Sequence, residues 1–533
     1  MATTRSLTRW AALAPLRVNV FRGLWIAAVV SNIGNWMQTV GAQWLLIHSP
    51  GATALVALVQ TASAVPVVLL AVPAGVLGEF VNKRTLLIAV QAFQVIVAVA
   101  LTILTAAGLM PPALLLTFTF LLGAASAVQL PAYQALVPEL VPREQLPNAA
   151  ALSSIGVNVA RAIGPAVGGL IIAGLGVPAV FALDTATFVL FGVILISWRG
   201  YTPPHQRAER LIDATRAGGR YVWHSPVIRS IYVRLGLFLI PANALWALLP
   251  LLAQNQLKQT SAGYGLLLTA LGVGSIVGAL LLPPVRARLP LNTVIAIATA
   301  LYGAGLIGIS LSSSLLIASM LCVITGVGWI AVIATMNAAT QSFLPPWVRS
   351  RGLSFYQVVL YGCTAIGAAV CGAIGQFAGI LPVTLTAGIV LLLIAVIYRL
   401  RPLVEPNTLS RDARSLPLSE VPDPGPDAEA GTDRASTLVL VDYNVPESRL
   451  SEFVARSQQL ENVRRRTGAR TWDLYHDRER DDVVTEAFTV GSWDEHLAQH
   501  ETRLTEFDLQ ILEAAKAFSV TTPQIRHYTS LIR

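Results

Sequence analysis

The stretch PAYQALVPELVPREQLPNAAALSSIGVNVARAIGPAVGG, from Pro131 to Gly169, decides the fold. It begins at the end of one apolar segment, crosses a short polar loop, and enters a second apolar helix that contains Arg161. An arginine inside an apolar helix is costly in lipid, so it usually faces a protein interior or a water-filled cavity. Small residues let a neighbouring helix approach closely, and a proline loosens the helix because it lacks an N–H group. The predicted helix-packing motif consists of Gly156, Gly164, Pro165, Gly168 and Gly169.

A weaker copy of this stretch lies between Ala338 and Gly375. In the copy, Gln341 and Pro345 stand where Gln134 and Pro138 stand in the first, and a basic loop follows in both cases. The shared Gln-x-x-x-Pro predicts that the chain contains two copies of one helical half.

The composition is that of a membrane protein. The 533 residues are 54% hydrophobic and 12% charged, whereas soluble domains are about 25% charged. The mean hydropathy is +0.63. The formal charge of +8 does not indicate a nucleic-acid partner, because most arginines lie in short loops between apolar runs, where they set membrane orientation. We therefore expect a polytopic membrane protein with a smaller soluble portion.

The cysteines and the N-terminus exclude other classes. Cys322, Cys363 and Cys371 lie in apolar runs, where they are interpreted as small packing residues. The sequence shows no Cys/His metal spacing, so we expect neither a metal nor a cofactor. The apolar run after the basic N-terminus is too long for a signal-peptide core, which predicts an uncleaved first span.

Twelve segments are long and apolar enough to span a bilayer, which needs roughly 20 mostly apolar residues. Proline, glycine and serine breakers separate most of them. The predicted spans are 21–47, 52–78, 85–108, 112–137, 148–175, 177–197, 231–255, 261–284, 291–311, 315–343, 352–377 and 380–400.

Basic residues alternate between the two sides of the predicted membrane. Every loop on the side of the N-terminus carries at least one lysine or arginine, and Lys258 is the single basic residue in the opposite loops. This alternation fits an even number of spans with both termini in the cytoplasm. The longest basic loop, 198–230, separates two groups of six spans. The predicted fold is an all-α membrane protein with twelve transmembrane helices in two six-helix parallel repeats.

The last part of the chain is different in character. Residues 401–435 are rich in proline and polar residues, which indicates a linker. After them, alternating strand and helix patterns predict a cytosolic α+β domain with the βαββαβ order of a ferredoxin-like sandwich. The predicted domains are an N-terminal cytoplasmic segment 1–20, helical bundles 21–197 and 231–400, a central loop 198–230, a linker 401–435 and a soluble domain 436–533.

Two charged residues lie inside predicted spans, Arg161 and Asp184. Asp184 is either a protonation site that couples proton entry to substrate movement, or a structural acid that pairs with Arg161 or is capped by hydroxyl groups. The run from Gly164 to Gly169 has two interpretations as well. It forms either a smooth helix face along which the two halves rock, or an ordinary close-packing surface.

Polar and aromatic residues recur within the spans and predict a central cavity. Their alternative role is to form single hydrogen bonds between helices. The cavity candidates are Asn32, Asn35, Trp36, Gln38, Asn243, Trp246, Gln341 and Tyr361.

Several side chains stand out in the soluble tail. His496 and His500 are four residues apart on a predicted helix, where they either face a metal or lie on the surface. The run Arg464 to Arg466 either touches acidic lipid head groups or ends a solvated helix. The remaining conspicuous residues are Trp472, His476 and Trp493.

Motifs of other transport classes are absent from the sequence. It contains no Gly-x4-Gly-Lys-Ser/Thr for nucleotide hydrolysis, no arginine ladder of a voltage sensor, and no Thr-Val-Gly-Tyr-Gly filter.

The membrane part resembles the major facilitator superfamily, a family of two six-helix repeats. Within it, the chain is similar to the enterobactin-exporter or transmembrane secretion effector group. The resemblance rests on Phe21-Arg22-Gly23-Leu24-Trp25, on 31–38, on Pro73-Ala74-Gly75 through Lys83-Arg84, and on Arg161 to Gly169. The tail patterns 468–472 and 492–500 resemble a soluble domain with the fold of cofactor-free antibiotic-biosynthesis monooxygenases.

The resemblance implies a cytoplasmic gate formed by Glu79, Lys83 and Arg84. It also implies that Glu79 contacts the N-terminus of the eleventh span near Gly352. The chain departs from the family pattern at the gate, where Phe80 stands in place of a cation. Asp184 also stands where relatives are expected to have asparagine.

These features predict a proton-coupled exporter of small molecules of the siderophore, drug or secondary-metabolite type, which lies in the cell membrane. Its partners would be a small-molecule substrate, protons and the lipid bilayer. Alternatives are a lipid transporter between leaflets, a transporter fused to an active monooxygenase-like domain, and a membrane-tethered sensor. The tail is expected to dimerise the protein or to regulate it.

Overall fold

The computed structural model describes residues 13–80, 82–198, 211–403 and 435–531. Most of the predicted N-terminal segment 1–20, most of the linker 401–435 and part of the central loop lie outside the described residues.

Twelve long helices occupy the positions of the twelve predicted spans, and a further helix, α7, lies in the central loop. The helices of the first half are α1 Asn19–Leu46, α2 Ala52–Phe80, α3 Lys83–Ala106, α4 Pro112–Leu140, α5 Leu146–Leu175 and α6 Val177–Ser197. The central-loop helix is α7 Leu211–Trp223. Those of the second half are α8 Pro226–Leu251, α9 Ser261–Arg286, α10 Leu291–Leu311, α11 Leu315–Phe343, α12 Arg349–Ala378 and α13 Ile380–Leu400.

Eleven of these helices, within the described residues, are long and apolar enough to cross a membrane. The exception among the twelve is α1, whose sequence includes Arg22, Asn32, Asn35, Gln38 and Gln43. The helix nevertheless packs along α5 and α6 over much of its length. Its place in the bundle therefore follows from packing on its neighbours more than from its own hydropathy.

Equivalent helix pairs pack in the two halves. In the first half α2 packs on α4, and α3 packs on α6. In the second half α10 packs on α13, and Gly274 and Gly278 of α9 lie against the backbone of α11 at Val323 and Val327. In each half, therefore, the second helix packs on the fourth and the third packs on the sixth, as expected of two copies of one six-helix unit.

The chain divides into two compact units. One contains most of the long helices. The other contains Glu209–Val233, Asn337–Tyr356 and Leu403–Arg533. The soluble tail therefore forms one compact unit together with α7 and the connection between α11 and α12.

The soluble tail is a four-stranded antiparallel sheet with helices on one face. Its elements are β1 Thr437–Asn444, α14 Glu447–Thr467, β2 Thr471–His476, β3 Val483–Val490, α15 Trp493–Ala498, α16 Glu506–Lys516 and β4 Gln524–Thr529. The strand order in the sheet is β2-β3-β1-β4. Val439, Val441 and Tyr443 alternate along β1 and pack against Phe453 of α14 and Phe488 of β3. The prediction of a C-terminal α+β domain with βαββαβ order is confirmed.

A carboxylate lies at the centre of this domain. The side chain of Glu486 is fully buried and accepts two hydrogen bonds from Arg464, at 3.0 and 3.1 Å. The indole Nε1 of Trp472 donates to it at 2.8 Å, and the Tyr443 hydroxyl lies at 3.2 Å. Both carboxylate oxygens therefore have partners, as a buried charge requires.

The arginine run at the end of α14 points mainly into the protein. Arg464 pairs with Glu486, and Arg466 is buried and pairs with Asp508. Arg465 pairs with Glu461 one turn earlier. Neither lipid contact nor a solvated helix end describes Arg464 and Arg466, because the domain's own acids bind them.

We expect Glu486→Ala to destabilise the soluble domain by about 3–5 kcal/mol, since it leaves the Arg464 guanidinium buried without its partner. Hydrogen exchange of β3 in the full chain measures the effect, and exchange should become much faster. Glu479→Ala, in the exposed turn before β3, serves as the control and should leave β3 protected. Equal protection in both variants would contradict the buried-pair interpretation.

Candidate functional site

Arg161 lies on α5 and faces an aromatic surface. Its guanidinium carbon lies 5.9 Å from the centre of the Trp36 ring on α1. Tyr361 of α12 is close enough to interact electrostatically with it. The Arg161 Nε atom is buried and has no hydrogen-bond partner among the residues that the structure describes. Among the ion pairs of the described residues, none involves Arg161.

Asp184 lies in a separate environment, on the face of α6 that packs on α1. Its side chain is 1% exposed, and the Thr187 hydroxyl lies 3.4 Å from its Oδ1 atom. A Cβ atom at Gly34 of α1 would collide with this carboxylate, so the glycine provides the space that Asp184 occupies. The alternative of a hydroxyl-capped acid fits this geometry. The alternative of an ion pair with Arg161 does not.

An aromatic cluster extends from Trp36 into the second half. The Trp36 and Trp246 ring centres are 5.9 Å apart, and those of Trp246 and Trp329 are 5.4 Å apart. Trp329 also contacts Tyr302, at 5.9 Å, and Phe238, at 5.8 Å. Sequence analysis selected Trp36 and Trp246 as cavity candidates but not the other three. They come from three different helices, and no spacing along the chain connects them.

Hydrogen bonds made by Gln43 connect α1 to α8 and α9 next to this cluster. The Gln43 side chain donates to the Trp246 carbonyl oxygen at 3.4 Å and accepts from the Tyr264 hydroxyl at 2.5 Å. The Trp44 ring stacks on Tyr264 with ring centres 6.3 Å apart. These contacts therefore connect α1 of the first half to α8 and α9 of the second half.

The helix-packing motif of α5 uses two different faces. Gly156, Gly164 and Gly168 face α1, where an added Cβ would meet Val29, Trp36 and Met37 respectively. Those six positions place α1 against one side of α5.

The other face of α5 meets α9 of the second half. A Cβ at Gly169 would lie 2.5 Å from the Ser261 carbonyl oxygen, and one at Gly265 would lie 2.5 Å from the Pro165 carbonyl oxygen. The Ser261 hydroxyl donates to the Gly169 carbonyl at 3.1 Å. We call this backbone contact between α5 and α9 the glycine seam.

A second contact between the halves joins α2 to α12. The Thr61 hydroxyl donates to the Ala365 carbonyl at 3.0 Å, and Gly372 lies against Ala57. Together with the glycine seam, this contact lies toward the helix ends next to Lys258, the side opposite the arginine-rich loops. The two halves are therefore packed together on that side.

The predicted gate residues bind within the first half. Lys83 pairs with Glu139 of α4, a partner that sequence analysis missed. Arg84 donates to the carbonyl oxygens of Leu195 and Ile196, at 2.9 and 3.0 Å, and so caps the end of α6. Glu79 lies in α2, but its side chain is outside what the structure describes. The gate role of these residues remains a prediction.

The remaining cavity candidates do not form one group. Asn32 and Asn243 donate to carbonyl oxygens of their own helices, each at 2.7 Å. Gln341 bonds Asn337 and belongs to the compact unit that includes the soluble tail. Asn35 is half-buried on α1. Gln38 is 8% exposed, and its Nε2 atom has no hydrogen-bond partner in the described ranges.

In the second compact unit, Glu495 joins the soluble tail to α7. It accepts hydrogen bonds from Arg220 of α7 at 3.0 Å and from Arg503 at 3.1 Å. Arg503 also lies 5.0 Å from the ring centre of Trp347, in the connection between α11 and α12, and Tyr221 of α7 meets the same ring edge-on. Sequence analysis did not predict that the tail docks on these loops.

His496 lies inside the tail, His500 and His527 are half-buried, and His476 is exposed. His496 is 1% exposed, its Nε2 atom lies 3.1 Å from Nε2 of His527, and its Nδ1 atom lies 3.1 Å from Oε1 of Gln499. Burial lowers the pKa of His496 to about 4 and that of His500 to about 3. The interpretation of His496 as a surface residue is therefore wrong. Within the described residues, no group of three or more potential ligands is arranged to hold a metal ion.

Comparisons with known proteins give both a family and a fold. The family described as transmembrane secretion effector matches residues 10–533. The chain is 23% identical to the staphyloferrin A transporter of Staphylococcus aureus over 287 residues, which cover 52% of this chain and 70% of that protein. It is 29% identical to the enterobactin exporter of Shigella boydii over 270 residues, which cover 50% of this chain and 64% of the exporter. The chain thus spans about two thirds of the length of these relatives.

The fold is similar to that of a bacterial homologue of the human lysosomal transporter Spinster, in its inward-facing and unoccupied conformation. The TM-score is 0.57 at 16% sequence identity, and the match covers 72% of this chain and 97% of that one. At this identity the likeness concerns the fold alone.

We expect Gly169→Val to separate α5 from α9, because its Cβ would overlap the Ser261 carbonyl oxygen. Overpacking of this kind costs about 1–3 kcal/mol. Thermal unfolding of the detergent-solubilised protein measures the loss. Gly174→Val on the same helix is the matched control, since no atom of the described neighbouring residues lies within 4 Å of a Cβ there. Equal melting temperatures for the two variants would show that the seam is not a tight contact.

Proposed function

This chain belongs to the transmembrane secretion effector family, and we propose that it is a secondary exporter of small molecules that works by alternating access. The glycine seam is the observation that carries the proposal. It packs the two six-helix halves together on the side of Lys258, opposite the arginine-rich loops. If the arginine-rich side faces the cytoplasm, as the distribution of basic residues predicts, this arrangement is closed toward the outside.

The seam also supports a rocking movement. At Gly169, Gly265 and Gly272 the two helices touch through backbone atoms, so no side chain of these three residues interlocks the halves. The two halves of such transporters move largely as rigid bodies around a site between them. The siderophore transporters among the relatives support a siderophore-type or similar small metabolite as the substrate.

We further propose that protons drive export and that Asp184 carries them. Ionisable residues inside membrane helices commonly mark proton paths. Asp184 lies between α6 and α1 with Thr187 as its polar neighbour, so binding or release of a proton would change the charge buried at this contact.

Transport into inverted membrane vesicles tests this proposal. We expect an imposed proton gradient to stimulate uptake of fluorescent small molecules by the wild-type chain. Asp184→Asn, which keeps the shape of the side chain, should abolish that stimulation. Asp477→Asn, in an exposed turn of the tail, should retain it. Uptake by the wild-type chain that ignores the gradient would remove the antiport proposal.

We also propose that the soluble tail forms a homodimer through the sheet face that its helices leave open. In one row across this face, the register places Asp473 of β2, Ala487 of β3, Leu440 of β1 and Arg526 of β4. A two-fold axis parallel to the strands would bring β2 of one copy over β4 of the other. Asp473 would then face the partner's Arg526, with apolar residues between them, and the surface would be self-complementary.

Charge exchange tests this interface. We expect Asp473→Arg to weaken dimerisation at least tenfold in analytical ultracentrifugation of the detergent-solubilised chain, because it places like charges opposite each other. The reciprocal double variant Asp473→Arg/Arg526→Asp should restore the dimer. Glu479→Arg, in the exposed turn between β2 and β3, is the control and should have no effect. A wild-type chain that is monomeric would rule out the proposal.

A further inference from the structure

An unpaired cation lies against the aromatic cluster of the membrane part. We propose that Arg161, Trp36 and Trp246 form a subsite that binds the acidic group of a flat aromatic small molecule. This proposal rests on the exporter function proposed above and specifies the class of substrate that the site selects.

The three residues are in contact through one ring. Trp36 of α1 lies between the Arg161 guanidinium, 5.9 Å from its ring centre, and the Trp246 indole of α8, also at 5.9 Å. Arg161 and Trp36 come from the first half of the bundle and Trp246 comes from the second. The site thus lies where the halves meet, which is where a transporter of this architecture holds its substrate.

Two N–H groups of the subsite lack acceptors. The Arg161 Nε and Trp246 Nε1 atoms are both buried and have no hydrogen-bond partner within the described part of the chain. Both are N–H donors and neither side chain can accept a hydrogen bond. Buried polar groups in native proteins nearly always have partners. A ligand that completes this site must therefore supply acceptor atoms, as a carboxylate or a phenolate does.

The charges around the subsite also favour an anionic ligand. Among the ion pairs of the described residues, none neutralises Arg161, and the buried acid Asp184 lies against Gly34 and Thr187 instead. Tyr361, an electrostatic neighbour of Arg161, is neutral in its usual state. A cation over the Trp36 ring is attracted to the ring face but keeps its charge. An anion is therefore favoured at this position, and a cationic ligand is repelled.

The neighbouring rings define the rest of the ligand. Trp246 contacts Trp329, which is half-buried, so aromatic surface continues away from the cation into the second half. Aromatic side chains bind flat rings through offset or edge-on stacking. A ligand with an acidic group next to an aromatic ring matches both the cation and the cluster.

Binding of matched probes to the full-length protein in nanodiscs tests the subsite. The probes are benzoate, 2-naphthoate and 4-biphenylcarboxylate, each compared with its neutral amide by isothermal titration calorimetry. We expect at least one acid to bind at least tenfold more tightly than its amide. Arg161→Gln should bring that ratio close to one, and Arg161→Lys should retain part of it. Arg286→Gln, at the exposed end of α9, is the matched control and should keep the wild-type ratio.

A variant that no longer folds is recognised by its melting temperature, and Trp36→Phe then provides a second test. It keeps a ring and should weaken binding of the acids while preserving their preference over the amides. The proposal is overturned if no acid binds, if the amides bind equally well, or if the preference survives Arg161→Gln. Vesicle transport of neutral or cationic compounds together with any of these results would reject the subsite and leave the exporter function intact. Failure to transport any class of compound would reject the exporter function itself.

Discussion

The close approach of α5 and α9 is the constraint on which the membrane part depends. Helices in a bilayer gain little from hydrophobic burial against each other, so their association relies on close packing and hydrogen bonds. Gly169 and Gly265 let the two backbones touch, and the Ser261 hydroxyl bonds the Gly169 carbonyl directly. On another face of α5, Gly164 lets α1 approach and so positions Trp36 beside Arg161. One run of small residues therefore orders both the contact between the halves and the aromatic cluster.

The two charged residues of this region are kept apart, and their surroundings differ accordingly. Asp184 fills the notch at Gly34 and has a hydroxyl neighbour, whereas Arg161 faces rings and has an orphaned N–H group. A direct ion pair would have satisfied both charges and would have left neither available to a ligand or a proton. Each charge therefore carries its own cost of burial in the membrane, because neither is neutralised by the other.

The second compact unit changes how the soluble tail is understood. A proline-rich linker suggests an independent module, yet Glu495 and Arg503 of the tail bind Arg220 of α7 and the ring of Trp347. Trp347 lies two residues before the start of α12, and Gly218 of α7 packs against Arg351 in the first turn of that helix. The tail is thus attached to the connection that leads into α12, so its position and that of the connection depend on each other.

How much of this structure can be predicted from the sequence depends on the physical cause of each sequence pattern. Hydrophobic runs and alternating basic loops reflect the membrane itself, and they predicted the twelve helices and their division into two halves. The major facilitator fold was predicted from the family resemblance, which rests on particular motifs such as Arg161 to Gly169. Strand alternation likewise predicted the βαββαβ tail. The contact partners of individual side chains cannot be predicted in this way. Glu486 pairs with Arg464, and Trp246 contacts Trp329, yet no periodic pattern along the chain relates the two residues of either pair. Gly169 and Gly174 show most clearly what the sequence cannot predict. Both are glycines of α5, five residues apart. A Cβ added at Gly169 would overlap the Ser261 carbonyl oxygen, whereas one added at Gly174 would enter open space. Which helix approaches a glycine is a property of the assembled bundle, so the seam becomes visible only once both helices are in place.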